Sequence, residues 1–233
     1  MLSYAIIALA MAASPSTSVA AAQSPSQSQR ETPPRPKGFP VGFDIAGLNL
    51  GMSPENVQHI LSERGFSVEA TVKGNFTFAE LVKERAEKMQ GRYNPLGKSS
   101  TQVSIIRAAS KDGSRLRILF DTSKQGPQVT SIDFEVPSSG RGPEFFAKSL
   151  EQKYGNPSEG PIKPADIMDL SWCGLPSCYP LNASPPRLRA KFYAGSKLFL
   201  SLTEGAIFHE KIKQQIEQEA AVMASASAKP LNF

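Results

Sequence analysis

The sequence predicts an α+β fold made of two related units, each with helices packed on an antiparallel three-stranded sheet. Apolar residues recur with helical spacing in some segments and at every second position in others. The segments follow the order helix, helix, three strands, and then helix, three strands, helix, which partly repeats. The composition, with 40% hydrophobic and 20% charged residues, is typical of a globular chain. We expect the first unit at residues 42–138 and the second at residues 139–220.

Two helices are predicted at the start of the first unit. The first runs from Ser53 to Arg64, because Ser53 can cap its N-terminus and Pro54 suits the first helical position. Gly65 can adopt the left-handed conformation that ends a helix. The second helix runs from Thr77 to Gln90, where Thr77 and Glu80 have the spacing of a capping box. Local signals therefore define both helices.

Three strands follow in the first unit, at residues 103–109, 115–121 and 129–136. Their apolar residues alternate with polar ones, and the connecting segments contain turn-forming residues. An antiparallel hairpin that places Arg117 opposite Asp133 also places Arg115 opposite Glu135. Each such pair of opposite charges contributes about 0.2–1 kcal/mol. This register accounts for the basic residues of the second strand.

The second unit is predicted to begin with a helix from Pro143 to Tyr154, which Gly155 ends. Strands are expected at residues 168–173, 187–194 and 197–203. A final helix is expected from about Gly205 to Ala220, because its apolar residues recur at every fourth position.

The outer face of this second sheet is predicted to be basic. Its basic residues are Arg187, Arg189, Lys191 and Lys197. The residues expected opposite the first three, across the next strand, are Thr203, Ser201 and Phe199. This side of the sheet is either a solvated face, balanced by an acid such as Asp169, or a docking surface for an acidic protein or a lipopolysaccharide-like surface. Docking of that kind would be weakened by salt.

Both ends of the chain are predicted to lie outside the folded units. Residues 1–22 have the pattern of a signal peptide, with a 12-residue apolar run at Leu2–Ala13 and an Ala-x-Ala site before Gln23. Spanning a membrane takes roughly 20 apolar residues, so the run is too short. The run lacks preceding basic residues, and the alternative is an Ala/Ser-rich disordered tail. Residues 23–41 are expected to be a disordered linker and residues 221–233 a flexible tail.

The two cysteines, Cys173 and Cys178, lie within the segment WCGLPSC. A redox pair usually has two residues between its cysteines, and a metal site would need further ligands nearby. In the oxidising compartment that a signal peptide implies, a turn at GLPS can bring the sulfur atoms together. The sequence therefore predicts a Cys173–Cys178 disulfide and a periplasmic or secreted protein, with two free thiols as the alternative.

No catalytic, cofactor-binding or metal-binding residues are predicted. The two histidines, His59 and His209, lie on separate helices, and no nucleophile motif is present. A net charge of +5 is compatible with anionic partners, but it is too small to indicate nucleic acid. An enzyme with an active site that matches no motif remains an alternative. We expect no cofactor and no transmembrane segment in the mature chain.

Two segments carry a family resemblance, GLNLGMSPENVQHIL at residues 47–61 and KYGNP at residues 153–157. With the element order, they resemble the small outer-membrane assembly lipoproteins of the SmpA/OmlA (BamE) type, and the tandem arrangement resembles β-lactamase-inhibitor-like proteins. The resemblance implies antiparallel sheets covered by helices, and protein–protein contact at the cell envelope. The predicted function is therefore an exported, non-catalytic protein-binding module. The alternative is an inhibitor of a secreted or periplasmic enzyme.

Overall fold

The computed structural model describes residues 42–92, 101–160, 167–173, 178, 186–193 and 197–226. The predicted signal peptide, the predicted linker, the GLPS turn and the last residues of the predicted tail lie outside these ranges. The helices are α1 (Pro54–Glu63), α2 (Phe78–Met89), α3 (Pro143–Tyr154) and α4 (Ala206–Ala226). The strands are β1 (Phe66–Asn75), β2 (Gln102–Ser110), β3 (Arg115–Ser123), β4 (Gly126–Pro137), β5 (Ile167–Cys173), β6 (Arg187–Tyr193) and β7 (Lys197–Thr203).

All seven strands form one antiparallel sheet in the order β1-β2-β3-β4-β7-β6-β5. The predicted α+β class is confirmed, but the prediction of two separate three-stranded sheets is wrong. The two halves join through β4 and β7, where Ile132 lies opposite Leu202 and Phe134 opposite Leu200. Each strand thereby covers the other's edge, which would otherwise expose unpaired backbone groups.

The sheet has an approximate two-fold relation between its halves. The meander β2-β3-β4 occupies one side and the meander β7-β6-β5 the other, with β4 beside β7. The first half additionally contains β1 and α2, and the second half ends in α4.

Strand β1 is absent from the sequence prediction. It pairs with β2 at one edge of the sheet, and the register between them shifts at three points. Val68 and Val72 alternate with polar residues, which is a strand signal, yet both side chains are exposed. Irregular, exposed edge strands of this kind lack the buried alternating face by which strands are usually predicted.

Helices cover one face of the sheet. Val57 and Leu61 of α1 and Phe146 and Leu150 of α3 belong to the same buried cluster as the inward side chains of the strands. Trp172 of β5 is fully buried in that cluster. The cores of both halves are therefore continuous.

Helices α2 and α4 pack on each other and run in the same direction. Arg85 bonds Glu217, and Gln90 donates to the carbonyl oxygen of Ala224 at 2.8 Å. Ala220 is fully buried against α2. The prediction of a flexible tail from residue 221 is wrong for residues 221–226, because α4 continues through them alongside α2.

The N-terminus of α2 has the predicted capping box. The Thr77 side chain accepts a bond from the Glu80 backbone N–H at 3.2 Å, and the Glu80 carboxylate accepts one from the Thr77 N–H at 2.7 Å. We expect Thr77→Ala to lower the free energy of unfolding by about 1 kcal/mol, measured by urea denaturation. Thr101→Ala, at an exposed position before β2, is the control and should leave it unchanged. Equal effects of the two substitutions would contradict this role of the cap.

Candidate functional site

The face of the sheet opposite α1 and α3 forms a shallow cavity of about 550 Å³. Residues of β3, β4 and β7 line it, together with Glu69 of β1 and with Arg107 and Ala108 of β2. Phe199 lies within it and keeps 38% of its surface exposed. We call this side of the sheet the open face.

The register arranges the open face in rows across the strands. The first row contains Arg107, Arg117, Asp133, Ser201, Arg189 and Ser171. The second row contains Ala109, Arg115, Glu135, Phe199, Lys191 and Asp169. Basic residues from both halves of the chain therefore share one surface.

The predicted basic residues of the second half lie on this face. Arg187 is opposite Thr203, Arg189 opposite Ser201 and Lys191 opposite Phe199, so the predicted register is confirmed.

These residues are not an unpaired set, however. Arg189 makes two bonds to Asp169, and Lys191 lies 4.0 Å from the same carboxylate. Lys197 contacts Glu135 at 3.0 Å, and Arg187 donates to Ser171. Asp169 of β5 was predicted from the sequence as a balancing acid, whereas Glu135 of β4 was not, because β4 was not expected to lie beside β7. Of the two interpretations of this face, the contacts therefore agree with a solvated strand face balanced by acids such as Asp169.

The arginines in the first half of the sheet have fewer close acidic partners than the basic residues of the second half. Arg115 lies opposite Glu135 and Arg117 opposite Asp133, as predicted. Glu135, however, is bound by Lys197 at 3.0 Å.

The remaining acid is also engaged. Asp133 accepts a hydrogen bond from Ser201 at 2.7 Å, and its nearest approach to Arg117 is 3.9 Å. Within the described part of the chain, Arg107 and Arg115 make no ion pair and no side-chain hydrogen bond. We call Arg107, Arg115 and Arg117 the arginine cluster.

Arg107 and Arg117 lie directly opposite each other on β2 and β3. Like charges in this position destabilise an antiparallel pair. The cluster was not predicted from the sequence, because it depends on the pairing of β2 with β3. The available signal was Arg107 at the outward position of a predicted strand.

Removal of this repulsion gives a prediction. We expect Arg107→Thr to raise the free energy of unfolding by about 0.2–1 kcal/mol, in chemical denaturation at low salt. The gain should shrink at high salt, because ions screen exposed charges. Lys73→Thr is the control, since Lys73 lies opposite Val103 on the edge strand. A loss of stability in Arg107→Thr alone would contradict the repulsion.

The cysteine pair lies at one end of the open face. The two sulfur atoms are at disulfide distance, the Cα atoms are 5.7 Å apart, and both residues are buried. The Cys178 backbone N–H donates to the Glu159 carboxylate at 2.7 Å. The pair therefore fits the predicted covalent link at the end of an edge strand.

The histidines lie apart from each other and from the arginine cluster. His59 contacts Glu63 at 3.5 Å, and His209 contacts Asp121 at 3.8 Å. Burial raises the pKa of the Glu204 carboxyl near the start of α4, against the opposing effect of a bond from the Gly205 backbone. Among the described residues, no group of three or more histidine, cysteine or acidic side chains could hold a metal ion.

Among the described helices, none has both the length and the apolarity to cross a membrane. Comparison of the chain with known protein families, with curated proteins and with solved structures found no match.

Proposed function

We propose that this protein is an exported, non-catalytic protein-binding module of the cell envelope, and that it binds an acidic partner through the open face. The arginine cluster on this sheet surface, whose cavity is lined among the described residues by strands alone, is the observation that carries the proposal. The cysteine pair at disulfide distance supports an oxidising compartment.

The composition of the open face suits a protein partner of opposite charge. Its basic residues outnumber its acidic ones. The basic residues are Arg107, Arg115, Arg117, Arg187, Arg189, Lys191 and Lys197, and the acidic residues are Glu69, Asp133, Glu135 and Asp169. Phe199 adds an exposed aromatic ring, and aromatic and arginine side chains are enriched at protein interfaces. Charge complementarity of this kind mainly increases association rates and selectivity.

A crosslinked pull-down tests the proposal. The immobilised protein is compared with an Arg115→Glu/Arg117→Glu variant, using envelope proteins at low and at high salt. We expect the wild type to recover an acidic partner at low salt, and the variant to lose it. The control is Lys88→Glu/Lys148→Glu, which changes the charge equally at exposed helical positions. Equal recovery by all three proteins would overturn the proposal.

The same experiment separates the binding module from the inhibitor. Recovery of one dominant hydrolase, with loss of that hydrolase's activity on adding the pure protein, would identify an inhibitor. Recovery of an envelope protein without such an effect would support the binding module. In both cases the open face carries the contact.

A further inference from the structure

We infer that the arginine cluster binds an extended acidic peptide segment that has carboxylates on alternate residues. The inference rests on the proposed function, since it names the ligand of the same open face. Its support comes from the register, from the neighbouring acids and from the position of Phe199.

The spacing of the arginines matches an extended chain. Arg115 and Arg117 are two residues apart on β3, so both side chains leave the same face about 6.4–6.8 Å apart. Alternate side chains of an extended peptide have that same spacing. Arg107 lies opposite Arg117, so one carboxylate placed there can reach two guanidinium groups. The cluster thus offers positions for two successive carboxylates of a partner strand.

The surrounding charges favour an added anion. Glu135 is engaged by Lys197 and Asp133 by Ser201, which leaves the cluster with one distant acid contact at 3.9 Å. A carboxylate between Arg107 and Arg117 would replace repulsion with two charge-assisted hydrogen bonds. Binding should therefore relieve an unfavourable contact that the free protein contains.

The backbone of the open face favours carboxylate side chains over free phosphate. Phosphate sites commonly use backbone N–H groups at a helix N-terminus or in a loop. The strands beneath the cluster instead pair with neighbours on both sides, so their N–H groups serve the sheet. Only the guanidinium groups remain, and because their fork geometry fits carboxylates and phosphates alike, the preference rests on the lack of free backbone N–H groups in these paired strands.

Two neighbouring residues should determine selectivity. Phe199 lies in the same cavity and can contact an apolar residue beside the acidic positions. Glu69 of β1 also lines the cavity and would repel an acidic ligand. We therefore expect Glu69→Gln to strengthen binding.

The test measures fluorescence anisotropy with two labelled nine-residue peptides, one alternating Glu and Thr and the other alternating Gln and Thr. We expect the full chain to bind the Glu peptide at low salt and not the Gln peptide. The variant Arg107→Gln/Arg115→Gln/Arg117→Gln should bind it at least about tenfold more weakly. The control Lys83→Gln/Lys88→Gln/Lys148→Gln should bind like the wild type.

Three results would overturn the inference. They are absence of binding to the Glu peptide, equal affinity of the cluster variant and the wild type, and complete displacement of the peptide by inorganic phosphate at equal concentration. Circular dichroism of each variant checks that it is folded. If the Glu peptide does not bind while recovery in the pull-down still depends on Arg115 and Arg117, the inference about the ligand is wrong and the proposed function is retained.

Discussion

Trp172→Ala is expected to lower the free energy of unfolding by about 3–5 kcal/mol. Trp172 is fully buried in the core, and its ring centroid lies 5.8 Å from that of Tyr154. Its indole N–H donates to the Gly155 carbonyl oxygen at 2.9 Å. The substitution would leave a cavity and an unpaired carbonyl group. Because globular proteins are stable by about 5–15 kcal/mol, a loss of this size approaches the whole margin.

Urea denaturation measures this loss. Far-ultraviolet circular dichroism is the suitable signal, because Trp172 is the only tryptophan and the Trp172 variants therefore lack tryptophan fluorescence. Trp172→Phe keeps an aromatic ring but loses the hydrogen bond, so we expect a smaller loss. Phe199→Ala, on the open face, is the matched aromatic control and should cost far less. Similar losses for Trp172→Ala and Phe199→Ala would contradict the assignment of the covered and open faces.

Loss of the Cys173–Cys178 link has the second-largest expected effect. The residues are five positions apart, and closing so short a loop stabilises by about 2 kcal/mol on the chain-entropy model. We expect Cys173→Ser/Cys178→Ser to lower the free energy of unfolding by about this amount, measured by the same denaturation. Loss of two buried sulfur atoms would add to it.

Reduction provides the control for that prediction. A reductant should lower the stability of the wild type and leave the double variant unchanged. Mass spectrometry after alkylation under denaturing conditions should show no free thiol in exported protein. Two alkylated cysteines would contradict the disulfide, and they would remove the main support for an oxidising compartment.

Local signals in the sequence predicted most of the elements. Ser53 caps α1, and Thr77 with Glu80 caps α2, because these contacts span only three residues. Alternation also predicted the register of β3 with β4 and of β6 with β7, since a slip of one residue would turn the apolar side chains outward.

Contacts between distant segments were not predictable in this way. The pairing of β4 with β7 joins residues 60–72 positions apart, and nothing local in either strand specifies its neighbour. The continuation of α4 to Ala226 depends on its packing against α2, more than 100 residues earlier in the chain. The alanines at this end of the helix favour helix, but helices are marginal in water on propensity alone, so packing against α2 decides where α4 ends.

The charge pairing at the candidate site was only partly predictable for the same reason, because it depends on contacts between segments that are distant in the sequence. Four basic residues lie on an outward face as predicted, and Asp169 balances Arg189 there. Glu135 was predicted as the partner of Arg115, but it contacts Lys197 of a strand that was not expected beside β4. Because Lys197 contacts Glu135, the basic residues without a close acidic partner are those of the arginine cluster, in the other half of the sheet.

Site-specific photo-crosslinking tests most directly whether the open face binds the partner. A photoreactive phenylalanine analogue replaces Phe199 on the open face or Phe145, which is 48% exposed on α3 and serves as the control. We predict a salt-sensitive crosslink to an acidic envelope protein from position 199 and none from position 145. Crosslinking from position 145 alone, or equally from both positions, would contradict binding through the open face.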